Sequence, residues 1–125
     1  MKLKKVLVVD DQEMICNLVK ASLENLWPTL KVITCSESSL AMDKIKNLLP
    51  DLVLLDIQMG DISGSDIAQQ MKENPSTQGI PIIFLTGIIS AEEAHARGNT
   101  SGGEHFLAKP LDFKELVAAV EKYIG

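Results

Sequence analysis

The chain has 125 residues, 46% hydrophobic and 23% charged, which is enough for one globular core and unlike a disordered or fibrous composition. Its net charge of −5 excludes a surface built to grip duplex nucleic acid, because that binding needs Lys and Arg to meet phosphates. Cys16 and Cys35 are too few for a disulfide framework and lack C-x-x-C spacing, so both are read as reduced, buried residues of a cytoplasmic protein.

The first apolar run, residues 5–9, predicts a strand ending at Asp10-Asp11. Lys2, Lys4 and Lys5 precede it as in an export signal, but Val6 to Val9 is too short for one, and no run approaches the ~18 apolar residues of a membrane span. Ile15, Leu18, Val19 and Leu26 predict the inner face of a first helix, and Trp27, before Pro28, predicts a packing anchor. A second strand follows at 30–34, then a helix facing inward through Ala41, Ile45 and Leu48. Residues 52–55 form the third strand, which runs into Asp56, and Ile67, Ala68 and Met71 mark the third helix.

The fourth strand, 80–85, leads into Thr86 and Gly87. Ser90-x-x-Glu93 opens a fourth helix, but Gly98, Asn99, Thr100, Ser101, Gly102 and Gly103 predict that it is short or mobile. His95 is placed on that helix's exposed surface and His105 on an edge strand, without metal-ligand spacing. The fifth strand, 105–108, is followed by Lys109-Pro110, with Pro110 as a helix-start residue. Asp112-x-x-Glu115 resembles a capping box before a last helix carrying Phe113, Leu116, Val117, Val120 and Ile124 inward.

Five strands alternating with helices, three of the strands nearly continuous in Val, Leu and Ile, predict a single doubly wound α/β domain over residues 1–125 with a parallel sheet and right-handed crossovers. Such sheets bind ligands beyond the carboxyl ends of their strands. Asp10-Asp11, Asp56, Thr86 and Lys109 occupy four of those five ends. Each has an ordinary alternative: Asp10-Asp11 as helix caps, Asp56 as a loop cap, Thr86 as a strand residue and Lys109 as a solvated cation. Together, the three carboxylates would repel one another by roughly 3 kcal/mol per pair at ~5 Å and an effective dielectric near 20. An all-oxygen set with that repulsion suits a hard cation such as Mg²⁺ and phosphoryl chemistry.

With these residues in this order, together with Met59, Gly64 and the stretch from Gly102 to Pro110, the whole chain resembles the receiver domain of two-component response regulators. The resemblance implies a flavodoxin-like (βα)5 fold with strand order 2-1-3-4-5. It implies that Asp56 is the phosphoacceptor, taking its group from a sensor histidine kinase or a histidine phosphotransfer protein. Asp11 and Asp56 would ligate Mg²⁺ with the backbone carbonyl of Gln58, and Asp10 would assist. Lys109 would pair with a phosphoryl oxygen, the Thr86 hydroxyl would swing towards it, and Gly87 would leave the approach open. Phe106 matches the aromatic switch and, without a hydroxyl, would act by packing alone.

The output face would be the fourth helix, fifth strand and fifth helix, used for a homodimer or an output domain, with no direct nucleic acid or membrane contact. No output domain is expected within these residues, and the only catalysis expected is of the chain's own phosphorylation and dephosphorylation. Gln58 and Ile88 match positions that tune dephosphorylation, and apolar Ile88 implies a slow reaction. Gly60 stands where the family usually has Pro, and the glycine-rich 98–103 stretch departs from it as well. The alternatives are a receiver-like interaction module that takes no phosphate, an aspartyl phosphatase with its nucleophile at the first strand, and a flavodoxin-like nucleotide or flavin binder. The last would need a glycine-rich cradle that the first loop lacks.

Overall fold

Val6, Leu7, Val8 and Val9 are all fully buried, which requires the strand they form to be covered on both faces. A computed structural model of the chain describes residues 4–59, 62–87, 100, 101 and 104–124. Its elements are β1 Lys4–Val9, α1 Glu13–Leu26, β2 Leu30–Cys35, α2 Ser38–Leu48, β3 Leu52–Asp56, α3 Gly64–Glu73, β4 Ile82–Thr86, β5 Thr100–Ser101, β6 Glu104–Ala108 and α4 Phe113–Ile124.

The sheet order is β2-β1-β3-β4-β6-β5. The first five strands in that order pair in parallel, so the predicted 2-1-3-4-5 arrangement is present. The short β5 adds an unforeseen antiparallel edge, with Thr100 opposite His105 and Ser101 opposite Glu104. Two residues within a glycine-rich run carry no alternating pattern from which to read a strand.

Alternate residues of each parallel strand feed opposite core layers. Val6, Val8, Leu52, Leu54, Ile83, Leu85 and Leu107 pack with α1 and α4 through Cys16, Val19, Leu23, Leu116, Ala119 and Val120. Leu7, Val9, Val53, Leu55, Ile82 and Phe84 pack with α2 and α3 through Ala41, Ile45, Ile67, Ala68 and Met71. Trp27 packs against the first layer, as predicted for an anchor.

Several predicted faces are rotated. On α1 the core residues are Cys16, Val19 and Leu23, whereas Leu18 and Leu26 are exposed. On α2, Leu48 is only partly buried. On α4, Ala119 joins Leu116 and Val120 inside, Val117 is half-buried, and Phe113 is exposed. Pro110 is not a helix start: its peptide bond to Lys109 is cis, and α4 begins at Phe113. The cap is Asp112, whose Oδ1 accepts from the amides of Lys114 and Glu115 at 2.8 and 3.2 Å. Strand β4 starts two residues later than predicted, because Ile80 and Pro81 complete the turn after α3, with Ile80 N donating to Thr77 O at 3.0 Å. The predicted fourth helix from Ser90, with Glu93 and His95, lies outside the described residues, as do Gly60, Ile88, Gly98, Asn99, Gly102 and Gly103.

Candidate functional site

Strand order reverses between β1 and β3, which opens a crevice at their carboxyl ends. The register pairs Val9 with Leu55, so Asp10 and Asp56 leave the sheet side by side. Asp56 in turn pairs with Leu85, one residue before Thr86, and Thr86 pairs with Ala108. The Lys109 amide donates to the Thr86 carbonyl at 2.8 Å, which fixes the start of the lysine beside β4. All the predicted strand-end residues therefore converge, as their common level in a parallel sheet demands.

Asp10 and Asp56 are 0% and 3% exposed, and Thr86 is buried. Asp11 is exposed at the rim, and its carboxylate joins theirs in a cluster whose oxygens lie within 4.8 Å of one another. Lys109 Nζ meets Asp10 Oδ2 at 2.8 Å and Asp56 Oδ2 at 3.3 Å. The other oxygens are held by backbone amides: Asp10 Oδ1 accepts from Gln12 N at 2.9 Å, and Asp56 Oδ1 accepts from Gln58 N at 3.2 Å. Asp10 is thus not the cap of α1; the N-cap is Gln12.

Asp11, Gln12, Asp56, Gln58, Gly87 and Lys109 line an open cleft of about 380 Å³ above these groups. Among the described residues, a side chain at Gly87 would meet nothing within 4 Å. Gly64 has the opposite surroundings: a Cβ there would fall against the Asp56 carbonyl oxygen, 2.9 Å from its carbon and 3.0 Å from Ile57 Cα. The first turn of α3 is thereby pressed against the strand end that carries Asp56. Gln12 is the site residue that sequence reasoning missed, since nothing local signals its contact with a lysine 97 positions away: Lys109 Nζ donates to its Oε1 at 3.2 Å.

Burial raises the Asp56 carboxyl above its ordinary value, and Asp10 adds to the shift, against the opposing pull of Lys109. For Lys109, burial alone would lower the value, but Asp10 and Asp56 outweigh it and the ammonium is held above its usual range. The Cys16 thiol, buried and next to Asp10, is pushed up to about 11, and it donates to the Asp10 carbonyl at 3.3 Å. It is an inert neighbour of the cleft.

Among the described residues, three carboxylates face a single ammonium in this cluster, and two of them are buried. The buried Asp10 Oδ2 receives charge from Lys109 but no directed hydrogen bond. Excess negative charge on an all-oxygen donor set fits a hard divalent cation such as Mg²⁺.

Phe106 is half-buried on β6 and stacks on Phe84, with ring centroids 5.3 Å apart and planes inclined by 26°. Phe84 and Phe106 are register partners, and Thr86 is two residues beyond Phe84, so Thr86 and Phe106 share one face of the sheet.

The model of the response regulator receiver domain family matches residues 6–121. The nisin biosynthesis regulatory protein NisR of Lactococcus lactis subsp. lactis is 38% identical over 120 residues, which are 96% of this chain and 50% of that protein. The phosphate regulon transcriptional regulatory protein PhoB of Rhizobium meliloti is 31% identical over 119 residues, 95% of this chain and 51% of its own length. The chain spans about half the length of these curated relatives. Among solved structures, the signal receiver domain of the DNA binding response regulator protein merR from Colwellia psychrerythraea 34H aligns with a TM-score of 0.82 at 27% identity. That alignment covers 97% of this chain and 98% of the other.

Proposed function

The chain belongs to the response regulator receiver domain family, and from that premise we propose that it is a phosphoacceptor switch whose acceptor is Asp56. The observation that carries this assignment is the burial of Asp56 at a cleft floor between a second carboxylate, Asp10, and the ammonium of Lys109.

A free oxygen lone pair of Asp56 attacks the phosphorus of a phosphohistidine on a sensor histidine kinase or a histidine phosphotransfer protein. The O–P bond forms as the N–P bond breaks, and the electron pair leaves with the imidazole. The Gln58 amide and Lys109 fix the attacking carboxylate in orientation. Asp11, Asp56 and the Gln58 carbonyl would hold Mg²⁺, with Asp10 assisting, and the ion when bound would supply positive charge to the transferring group.

After transfer, Lys109 pairs with a phosphoryl oxygen, and the Thr86 hydroxyl turns towards it. Phe106, on the same sheet face, repacks as Thr86 moves. A charge-assisted hydrogen bond of about 1.5–3 kcal/mol shifts a two-state equilibrium by roughly ten- to hundredfold, enough for a signal. The event is read by a second copy or an output domain on the face that includes β6 and α4; the fourth helix expected there lies outside the described residues. Catalysis is confined to the chain's own phosphoryl group, and the setting is the cytoplasm. Among the described residues no helix is long and apolar enough to cross a membrane.

Incubation with acetyl phosphate or phosphoramidate and Mg²⁺ adds one phosphoryl group to the intact mass, and Asp56→Asn abolishes the gain. No gain in the unmodified chain contradicts the proposal. Apolar Ile88 gives no hydrogen bond to an attacking water, so the group decays slowly; a lifetime of seconds in Mg²⁺ buffer contradicts that part.

A further inference from the structure

Gln12 occupies the N-cap of α1, and its carbonyl starts the helix by accepting from the amides of Ile15 and Cys16 at 3.0 and 3.3 Å. Ser, Thr, Asp and Asn are favoured there because their short side chains reach back to the free amides of the first turn. The Gln12 side chain makes no such bond. Its Oε1 instead accepts from Lys109 Nζ at the cleft, so a local stability preference is overridden where the chemistry lies.

An ammonium has three N–H donors, and among the described residues Lys109 Nζ has three oxygen neighbours: Asp10 Oδ2, Asp56 Oδ2 and Gln12 Oε1. Two are buried carboxylates; the third is a neutral, exposed amide. The hydrogen bond to the charged Asp56 is roughly twice as strong as a neutral one, and Asp10 adds the attraction of an ion pair at 2.8 Å, so the amide is the partner that Lys109 exchanges most readily. Without it, the two carboxylates draw the ammonium inward, over the Asp56 Oδ2 lone pairs and away from an arriving oxygen.

We propose that Gln12 is a positioning residue for phosphoryl transfer: it holds the Lys109 ammonium at the open side of Asp10 and Asp56 and gives up that hydrogen bond to the incoming phosphoryl oxygen. The inference rests on Asp56 being the acceptor. Its backbone is fixed for this role, since the Gln12 amide is itself bonded to Asp10 Oδ1.

The test measures phosphorylation rate against phosphoramidate concentration, by intact mass, for the unmodified chain, Gln12→Ser and Gln12→Met, each with and without Lys109→Met. Gln12→Met keeps the side-chain length and removes the acceptor; Gln12→Ser removes the contact and supplies a proper cap. Both lower the maximal rate about three- to tenfold, the scale of one hydrogen bond, and leave the half-saturating donor concentration unchanged. Gln12→Ser at the same time raises the thermal midpoint by a few degrees, roughly 2–6 °C, so its slower rate is not a folding defect. In the Lys109→Met background neither Gln12 change slows the reaction further. An unaltered maximal rate in both variants, or an equal loss when Lys109 is already replaced, overturns the proposal. A slower rate in Gln12→Ser that comes with a lowered midpoint, with no loss in Gln12→Met, overturns it too. If the unmodified chain gains no phosphoryl group, or Asp56→Asn still gains one, it is the Asp56 assignment that falls, and Gln12's role falls with it.

Discussion

Two lysines of this protein each sit among carboxylate and carbonyl oxygens, and their surroundings differ in one respect that separates a finished contact from a reactive one. Lys20 Nζ pairs with Glu24 Oε2 at 2.9 Å and donates to the Val32 carbonyl at 2.8 Å, while the Val32 amide donates to the same Glu24 oxygen at 2.9 Å. One positive and one negative charge close a ring that ties α1 to β2 at the surface. At the cleft, Lys109 faces the buried Asp10 and Asp56 together, with Asp11 at the rim. That charge imbalance persists out of water, and on the proposed reading it readies the cleft for a cation and a phosphoryl group.

The largest effect expected from this contrast is on stability without divalent cation. Lys109→Met takes from the two buried carboxylates their ion-pair partner and lowers the unfolding free energy by about 2–4 kcal/mol in urea titrations. Added Mg²⁺ recovers part of that loss. Gly64→Ala comes next, at about 2–3 kcal/mol, because its Cβ must displace the strand end that carries Asp56; a midpoint equal to that of the unmodified chain would show that this end of the strand yields.

Asp56→Asn has the opposite sign and stabilises the cation-free chain by about 1 kcal/mol, since it relieves a buried like-charge pair. Asp56 has a raised value in the folded state, so its ionisation costs stability above that value, and the advantage of Asp56→Asn disappears as pH falls through it. Glu24 runs the other way: the Val32 amide and then Lys20 lower its value, so its contribution is present at neutral pH and is lost on acidification through the lowered value. The smallest change is Lys20→Met, within about 0.5 kcal/mol, as for an exposed helix ion pair. A loss there as large as that of Lys109→Met would erase the distinction between the two clusters.

The strands and the site converge from the sequence because both rest on one rule: apolar runs buried on two faces end together, and polar residues at those ends must meet. Helix orientation rests on more. Ile15, Leu18, Val19 and Leu26 satisfy helical spacing as well as Cys16, Val19 and Leu23 do, and only the approach of α1 to the sheet selects the second set. Phe113 is exposed for a similar reason, because Asp112 starts α4 beyond the turn at Pro110 and the inward face falls on Leu116, Ala119 and Val120. Gln12 was illegible because its partner comes from the other end of the chain. Gly64 was legible only as part of a family pattern, while its cause, the backbone of Asp56 against its missing Cβ, is a fact of packing.

The assignment of Asp56 is tested most directly by borohydride trapping after phosphorylation with acetyl phosphate and Mg²⁺. The reagent reduces an aspartyl phosphate to homoserine and leaves free carboxylates alone, so peptide mapping locates the acceptor. The account predicts homoserine at position 56 alone, in a yield that matches the phosphoryl gain. Homoserine at position 10 or 11, or a phosphoryl gain that leaves Asp56 intact, would contradict it.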